Sequence, residues 1–390
     1  MRKEITLILT SVFILVYGTY IAGTILTPFA ESLGAPGITI GFISGALYIV
    51  RLLTGTWIGK LSDKRGVLNV LKYSLVLYPF VAFSYWAAWN IPALIGARLL
   101  HGLASAMMLP MAMAYIGEVT PQGKEGHYMG IYNTIILIAS GLGPQTATLL
   151  AARYSTRTGF LFLFILAFIS LIIILMVQRN RAGNQISSTL IERSTKYRNS
   201  SRLIKNPSLL ALASINIALA VISSMIGFFF ILYPPTKGID LIFTGSIIAI
   251  YNIVCGVVQI PLGQFTDKFN KRRMIIIAGM LTTAILILFP FVGLLWTMCL
   301  AMLALAIASA VLLSASSALS AIIGHNMGMG ITMGFLGTST SIGMILGSIL
   351  LGLMPDNFGI DSIFYLAGGL VLVCTTIFSI LWRKKQAVFI

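Results

Sequence analysis

The sequence predicts an all-α membrane protein: twelve transmembrane helices arranged as two six-helix halves that repeat in parallel. Three observations carry this. The composition is apolar, the apolar runs are long and evenly punctuated, and one motif recurs at a fixed offset. Of the 390 residues, 58% are hydrophobic and only 9% charged, and the mean hydropathy is +0.96. A soluble domain carries about 25% charged residues, so a water-soluble enzyme of this length is excluded.

The runs justify the spans in order. Span 1 covers about 5–29 and exceeds the roughly 7–15 apolar residues of a secretory signal, so it reads as an uncleaved first span. After the break from Glu31 to Gly37, span 2 covers about 37–59 and stops at the charges of Lys60 to Gly66. Spans 3 and 4 fall at about 69–88 and 91–115, spans 5 and 6 at about 127–151 and 157–178. Residues 179–207 then hold seven basic residues and one acid, Glu192. This stretch reads as a cytoplasmic linker with room for a short amphipathic helix at the membrane surface. Spans 7 to 12 follow at about 208–233, 241–263, 274–293, 296–318, 330–353 and 362–382. The halves are therefore residues 1–178 and 208–390.

The formal charge is +16, from 26 Lys+Arg against 10 Asp+Glu. In a soluble protein that excess would indicate nucleic acid, but too little chain lies outside the spans to build such a module. With the N-terminus in the cytoplasm, cytoplasmic segments hold 21 basic residues and outer loops three: Arg153, Arg157 and Lys237. That bias fixes the expected topology, with both termini cytoplasmic in a multi-pass protein of the cell membrane. With Lys72 counted in the loop that leads into span 3, two bases remain inside spans, Arg51 and Arg98, and no acid does. Cys255, Cys299 and Cys374 lie in apolar runs without ligand spacing. They read as small buried hydrophobes, and no metal or cofactor is expected.

Gly59-Lys60-Leu61-Ser62-Asp63-Lys64 recurs as Gly263-Gln264-Phe265-Thr266-Asp267-Lys268, an offset of 204. The same offset takes Gly130 to Gly334, Ala139 to Gly343 and Gly143 to Gly347. Six spans per half give the halves one orientation, the parallel repeat of carriers that bind substrate at the midplane.

These residues carry a resemblance to the major facilitator superfamily. Gly59, Leu61, Asp63 and Gly66 match its G-x-L-x-D-R-x-G-R-K loop, with Lys64 for the first Arg, followed by Arg65. The second copy keeps Gly263, Asp267 and Lys268 but has Asn270 at the second Gly position. The resemblance implies that Asp63 holds the positive N-terminal end of span 11 and stabilises one state of a transporter. Arg98-Leu99-Leu100-His101-Gly102 in span 4 resembles R-x-x-Q-G, in which the Arg is linked to proton coupling, with His101 in place of Gln. An arginine within a span is costly and functional by default. An imidazole titrates near neutrality, so His101 either takes part in proton movement or is a neutral ring hydrogen-bonded to a carbonyl. Arg51, in span 2, is a further coupling candidate. Glu118, with Pro121 and Gly126, resembles the D/E-x-x-P-x-x-x-R-G loop; Glu125 stands at the usual Arg, and Glu118 either partners the Lys64/Arg65 loop or is a solvated loop acid. Gly130, Ala139, Gly143, Pro144 and Ala147 in span 5 are similar to the segment of the twelve-span drug:proton antiporter branch. There, small residues permit close helix approach.

Candidate cavity residues are Tyr17 and Tyr20, Met107 and Met111, Asn133, Asn216, Phe228, Tyr251, Asn252 and Gln259. Methionine and aromatic side chains suit an adaptable apolar pocket. The resemblance implies a monomeric secondary transporter in the lipid bilayer, exporting amphipathic small molecules in exchange for protons. The alternative is an uptake symporter or facilitator of a sugar, organic acid or other metabolite. The absence of acids from the spans favours neutral or weakly anionic cargo. No catalytic constellation is present.

Overall fold

The computed structural model describes residues 2–35, 37–177, 206–230, 233–239, 241–354 and 358–383. The amphipathic helix expected in the linker lies outside them. Fourteen α-helices are described: α1 (Arg2–Ser32), α2 (Gly37–Arg65), α3 (Val67–Trp86), α4 (Ile91–Val119), α5 (Glu125–Arg153), α6 (Thr156–Leu175), α7 (Pro207–Ser224), α8 (Tyr233–Thr236), α9 (Leu241–Val257), α10 (Gln259–Lys268), α11 (Lys271–Leu288), α12 (Leu295–Met327), α13 (Met329–Gly352) and α14 (Ser362–Arg383). Ten are long and apolar enough to cross a membrane, and the pair α9 and α10 makes an eleventh span. At 29 residues, α2 is the twelfth long segment.

Turn chemistry sets several ends. Lys64 and Arg65 sit in the last turn of α2, where cations suit the negative end of the helix dipole. Gly66 then takes φ 89°, a conformation open to glycine, to start α3. Its counterpart Asn270 solves the same turn differently: its side chain accepts from the N–H groups of Arg272 and Arg273 and caps α11.

Three departures from the expected spans have local causes. Span 7 leaves regular α geometry at Ser224, and Met225–Phe229 form a π-turn. The extra residue brings Phe230, fully buried, edge-on to Phe289 and Phe364. Span 8 bends by 42° between α9 and α10. Pro261 has no N–H for the carbonyl of Val257, and the Thr134 hydroxyl donates to the neighbouring Gly256 carbonyl at 2.8 Å. Span 10 continues to Met327, well beyond the expected 318, because Ala, Leu, Ser and Ile without proline give the helix no reason to stop. Gly328, at φ 102°, ends it.

The described chain forms two compact units. The first takes Met1–Val119, Ile135–Lys196 and Gly324–Thr338; the second takes Thr120–Thr134, Tyr197–Ile323 and Ser339–Ile390. In the first, α1 packs on α6, α2 on α4, and α3 on both α4 and α6. Buried Ser11 and Ser170 exchange hydroxyl-to-carbonyl bonds of 3.0 and 2.8 Å across α1 and α6. In the second, α7 and α11 pack on α14, and Ser214 donates to the Cys374 carbonyl at 3.0 Å.

The offset of 204 governs packing as well as sequence. In the first unit Tyr85 stacks on Phe160 (5.1 Å, 13°), Phe29 meets Phe160 edge-on (5.2 Å), and Arg157 lies over Phe29 at 5.6 Å. In the second, Phe289 stacks on Phe364 (4.7 Å, 11°), Tyr233 meets Phe364 edge-on (4.7 Å), and Lys237 lies over Tyr233 at 5.5 Å. All three ring positions differ by 204. Each unit thus holds the same aromatic cluster, with a cation on the same ring.

Candidate functional site

Both copies of the repeated loop end a helix with a carboxylate that caps another helix. The Asp63 carboxylate accepts from the backbone N–H groups of Gly330 (2.9 Å) and Ile331 (3.0 Å), in the first turn of α13. The Asp267 carboxylate accepts from Gly126 (2.6 Å) and His127 (3.1 Å), in the first turn of α5. The first N–H groups of a helix have no intrahelical partner and lie at its positive end, so an anion there is satisfied and stabilised. Donors and acceptors map onto each other by 204 without exception.

Glycines let the helices come close enough. A Cβ on Gly59 would meet the Gly330 carbonyl oxygen at 2.7 Å, and one on Gly334 the Gly55 oxygen at 2.7 Å. In the other unit, a Cβ on Gly263 would meet the Gly126 oxygen at 2.2 Å, and one on Gly130 the Gln259 oxygen at 2.5 Å. Ser62 and Thr266, again related by 204, turn their hydroxyls back onto their own helices.

Burial pushes the Asp63 carboxyl up to about 6, with the N–H groups of Ile331 and Gly330 pulling it down. Glu118 does not partner Lys64 or Arg65: among the described residues it makes no ion pair. Those two cations are exposed, where their charge serves the end of α2. The carboxylate within electrostatic reach of Glu118 is Asp63 itself. Lys268 occupies the last turn of α10 in the same manner.

A second cluster lies at the opposite end of α3. Arg98 donates from Nε to the Ile43 carbonyl (3.2 Å) and from Nη1 to the Tyr85 hydroxyl (3.3 Å). Tyr85 Oη is 3.0 Å from His101 Nδ1. His101 is buried, with Tyr78 edge-on to its ring, and both Arg98 and Arg51 lie within electrostatic reach. Arg51 also reaches Tyr20 and Tyr78. The structure therefore gathers Arg51, Arg98 and His101, whereas Glu118 belongs with Asp63.

The span-5 small residues pack as their size allows. Ala139 and Ala147 are fully buried, and Gly143 lies against Tyr20, as Gly347 lies against Ser224. Pro144 sits within α5, which runs unbroken from Glu125 to Arg153. The cavity candidates disperse. Tyr17 bonds Thr146 at 2.5 Å, and Tyr20 is 41% exposed. Met107 is half-buried and Met111 fully buried. Asn133 donates to Ser317, and Gln259, fully buried, donates to the Ala310 carbonyl. Asn216 and Asn252 donate to carbonyls of their own helices, and Tyr251 is buried against Ser309. Phe228 falls in the π-turn, and its side chain lies outside the description. The three cysteines are free. Among the described residues no group of His, Cys, Asp or Glu could hold a metal.

Sequence reasoning named Gly126 only as part of the loop after span 4 and missed Gly330 and Gly55, although moving Gly126 by 204 lands on Gly330. It also missed Tyr85, whose counterpart by the same shift is Phe289.

A polytopic helical carrier built from two repeats, each closing a glycine-lined helix pair on a carboxylate, is the class these features define. The chain belongs to the Major Facilitator Superfamily, whose profile it matches over residues 8–241 and 212–388. It is 25% identical to an uncharacterized MFS-type transporter of Methanocaldococcus jannaschii, over 93% of this chain and 94% of that one. It is 24% identical to Multidrug resistance protein 2 of Bacillus subtilis (99% and 96% covered) and 24% to Quinolone resistance protein NorA of Staphylococcus aureus (95% of each). Its fold superposes on the human organic anion transporter MFSD10 with a TM-score of 0.79 at 14% identity, covering 97% and 99% of the chains. The proton:xylose symporter XylE gives 0.77 at 13%, covering 98% and 95%. The protein is a multi-pass secondary transporter, not an enzyme, and moves small molecules across the bilayer by alternating access. It resembles the multidrug-resistance branch.

Proposed function

We propose that this transporter carries small organic anions together with protons, as a monomer in the cell membrane with both termini in the cytoplasm. The carrying observation is the pair Arg51 and Arg98. Both lie well inside spans, whose acids are confined to the end turns, and among the described residues neither forms an ion pair. A permanent cation away from water calls for a counter-charge, and a carboxylate-bearing substrate supplies one. This reading follows the uptake and organic-acid alternative more than multidrug export. The relatives named for organic anions and for proton:xylose symport support it. Export is the second reading, favoured by the close seat of Gly143 on Tyr20 and by the drug-resistance relatives. Proteoliposomes with an imposed pH gradient separate the two. Labelled aromatic carboxylates should follow protons inward, and Arg98→Gln should lower that flux at least about tenfold, the scale of one lost bond to a charged group. Movement of lipophilic cations against the proton flow, with no carboxylate flux, would overturn the proposal.

Asp63 and Asp267, with their glycines, would form the conformational switch, closing as residues 1–178 rock against 208–390 about the linker 179–207. Its pH response has a definite sign. The Asp63 carboxyl ionises at about 6 in the contact, against an ordinary 3.8. Its contribution to closure is therefore fully present below about 4 and lost as pH rises through about 6. Spin labels at the facing ends of α2 and α13 should report a closed fraction that grows as pH falls from about 7 to about 5. A flat or opposite response contradicts the assignment.

A further inference from the structure

We infer that the Tyr85 hydroxyl is a positioning group for Arg98, the middle link of a one-way hydrogen-bond chain from Arg98 through Tyr85 to His101. The polarity follows from chemistry. A guanidinium has donors and no acceptor, so at 3.3 Å it can only donate to Tyr85 Oη. That oxygen must then point its own proton elsewhere, and His101 Nδ1 lies 3.0 Å away. Nδ1 is the acceptor, so the imidazole carries its proton on Nε2 and is neutral. A proton on Nδ1 would confront the Tyr85 hydroxyl and press its hydrogen toward Arg98. The charged groups facing the ring agree: Arg98 on its own helix and Arg51 from α2 are both cations, and Tyr78 and Tyr85 present from α3. His101 therefore acts as an acceptor rather than as a proton carrier. The glutamine usual at this position in the family's motif offers an acceptor too.

The second repeat supplies an internal control. Phe289 holds the place of Tyr85, stacked on Phe364 as Tyr85 is stacked on Phe160. At the positions of Arg98 and His101, the offset gives Met302 and Leu305, both fully buried. The cluster packs with a bare phenyl ring where no arginine needs holding. At this ring position a hydroxyl is present only in the repeat that has the arginine and the histidine, since the hydroxyl of the second cluster belongs to Tyr233, the counterpart of Phe29, and donates to the Pro290 carbonyl. Its place is thus explained by Arg98, which it holds through Nη1 while the Ile43 carbonyl holds Nε, leaving the other guanidinium N–H groups for substrate.

The inference rests on the reading that Arg98 takes part in transport, and the experiment separates the two. Tyr85→Phe keeps the ring and should keep thermal stability, as Phe289 shows the packing tolerates. Carboxylate flux should fall at least about tenfold, the range for losing a bond to a charged group. His101→Leu should match that loss, and His101→Gln, which restores an acceptor, should recover flux toward wild type without changing its pH profile. In protein labelled with 15N-histidine, the His101 ring should show the Nε2–H tautomer. If Arg98→Gln transports normally, the reading of Arg98 fails. If Arg98→Gln is inactive while Tyr85→Phe transports as wild type, or if His101 carries its proton on Nδ1, the positioning role is overturned.

Discussion

Asp63→Asn should insert and fold as wild type while transport falls by about tenfold to a hundredfold. Hydrogen bonds to charged groups contribute about 1.5–3 kcal/mol, and each 1.4 kcal/mol is roughly a decade in an equilibrium. Asparagine keeps one acceptor for Gly330 or Ile331 but turns an NH₂ toward the other N–H, so a donor meets a donor. A protonated Asp63 differs, since both oxygens remain and its single proton can turn away. In the proposed switch the variant would lose one state of the cycle rather than the fold. Transport assays on reconstituted protein, with expression and thermal stability as controls, decide this. Wild-type flux in Asp63→Asn would remove the role assigned to the contact.

The second large effect comes from the smallest possible side chain. Gly263→Ala places a Cβ 2.2 Å from the Gly126 oxygen, 2.8 Å from its carbonyl carbon and 3.1 Å from the Cα of His127. All three are backbone atoms of α5, so no rotamer relieves the clash and the helices must part. Overpacking of this kind costs about 1–3 kcal/mol, and the movement also pulls Asp267 from its two amides. Flux should fall at least about tenfold, whereas Gly369→Ala, where an added Cβ meets nothing within 4 Å, should leave it unchanged. Normal transport in Gly263→Ala would show that the close approach of α5 and α10 is not needed.

Much of this architecture is legible without coordinates, because the bilayer writes spans as long apolar runs and topology as a bias of basic residues. The repeat was legible through Asp63 and Asp267, whose side chains carry the chemistry. The resemblance pointed Asp63 to the start of span 11, but the particular amides, and the partner of Asp267, were not legible, because a backbone N–H leaves no mark in the sequence. Only the glycines at positions 126 and 330 hint that two helices meet there. Tyr85 was hidden for another reason. In a chain with 11% aromatic residues, a ring inside a span looks the same facing lipid or facing a guanidinium. The bend in span 8 was foreshadowed by Pro261, but Pro28, Pro79, Pro110 and Pro144 lie within helices that run through, so proline alone did not locate the break. The surroundings of Glu118 were not legible, because a basic loop in the sequence does not say which way its exposed Lys64 and Arg65 side chains point.

Two aspartates, one in each repeat, satisfy helix-terminal amides. Amide hydrogen exchange tests this directly, since the first N–H groups of α13 and α5 have no intrahelical partner and owe any protection to Asp63 and Asp267. Exchange measured on short overlapping peptides should find Gly330 and Ile331 slow in wild type and fast in Asp63→Ala, which leaves no acceptor. Gly126 and His127 should likewise become fast in Asp267→Ala and stay slow in the other variant. Protection that persists at both pairs when the carboxylates are gone would contradict the account.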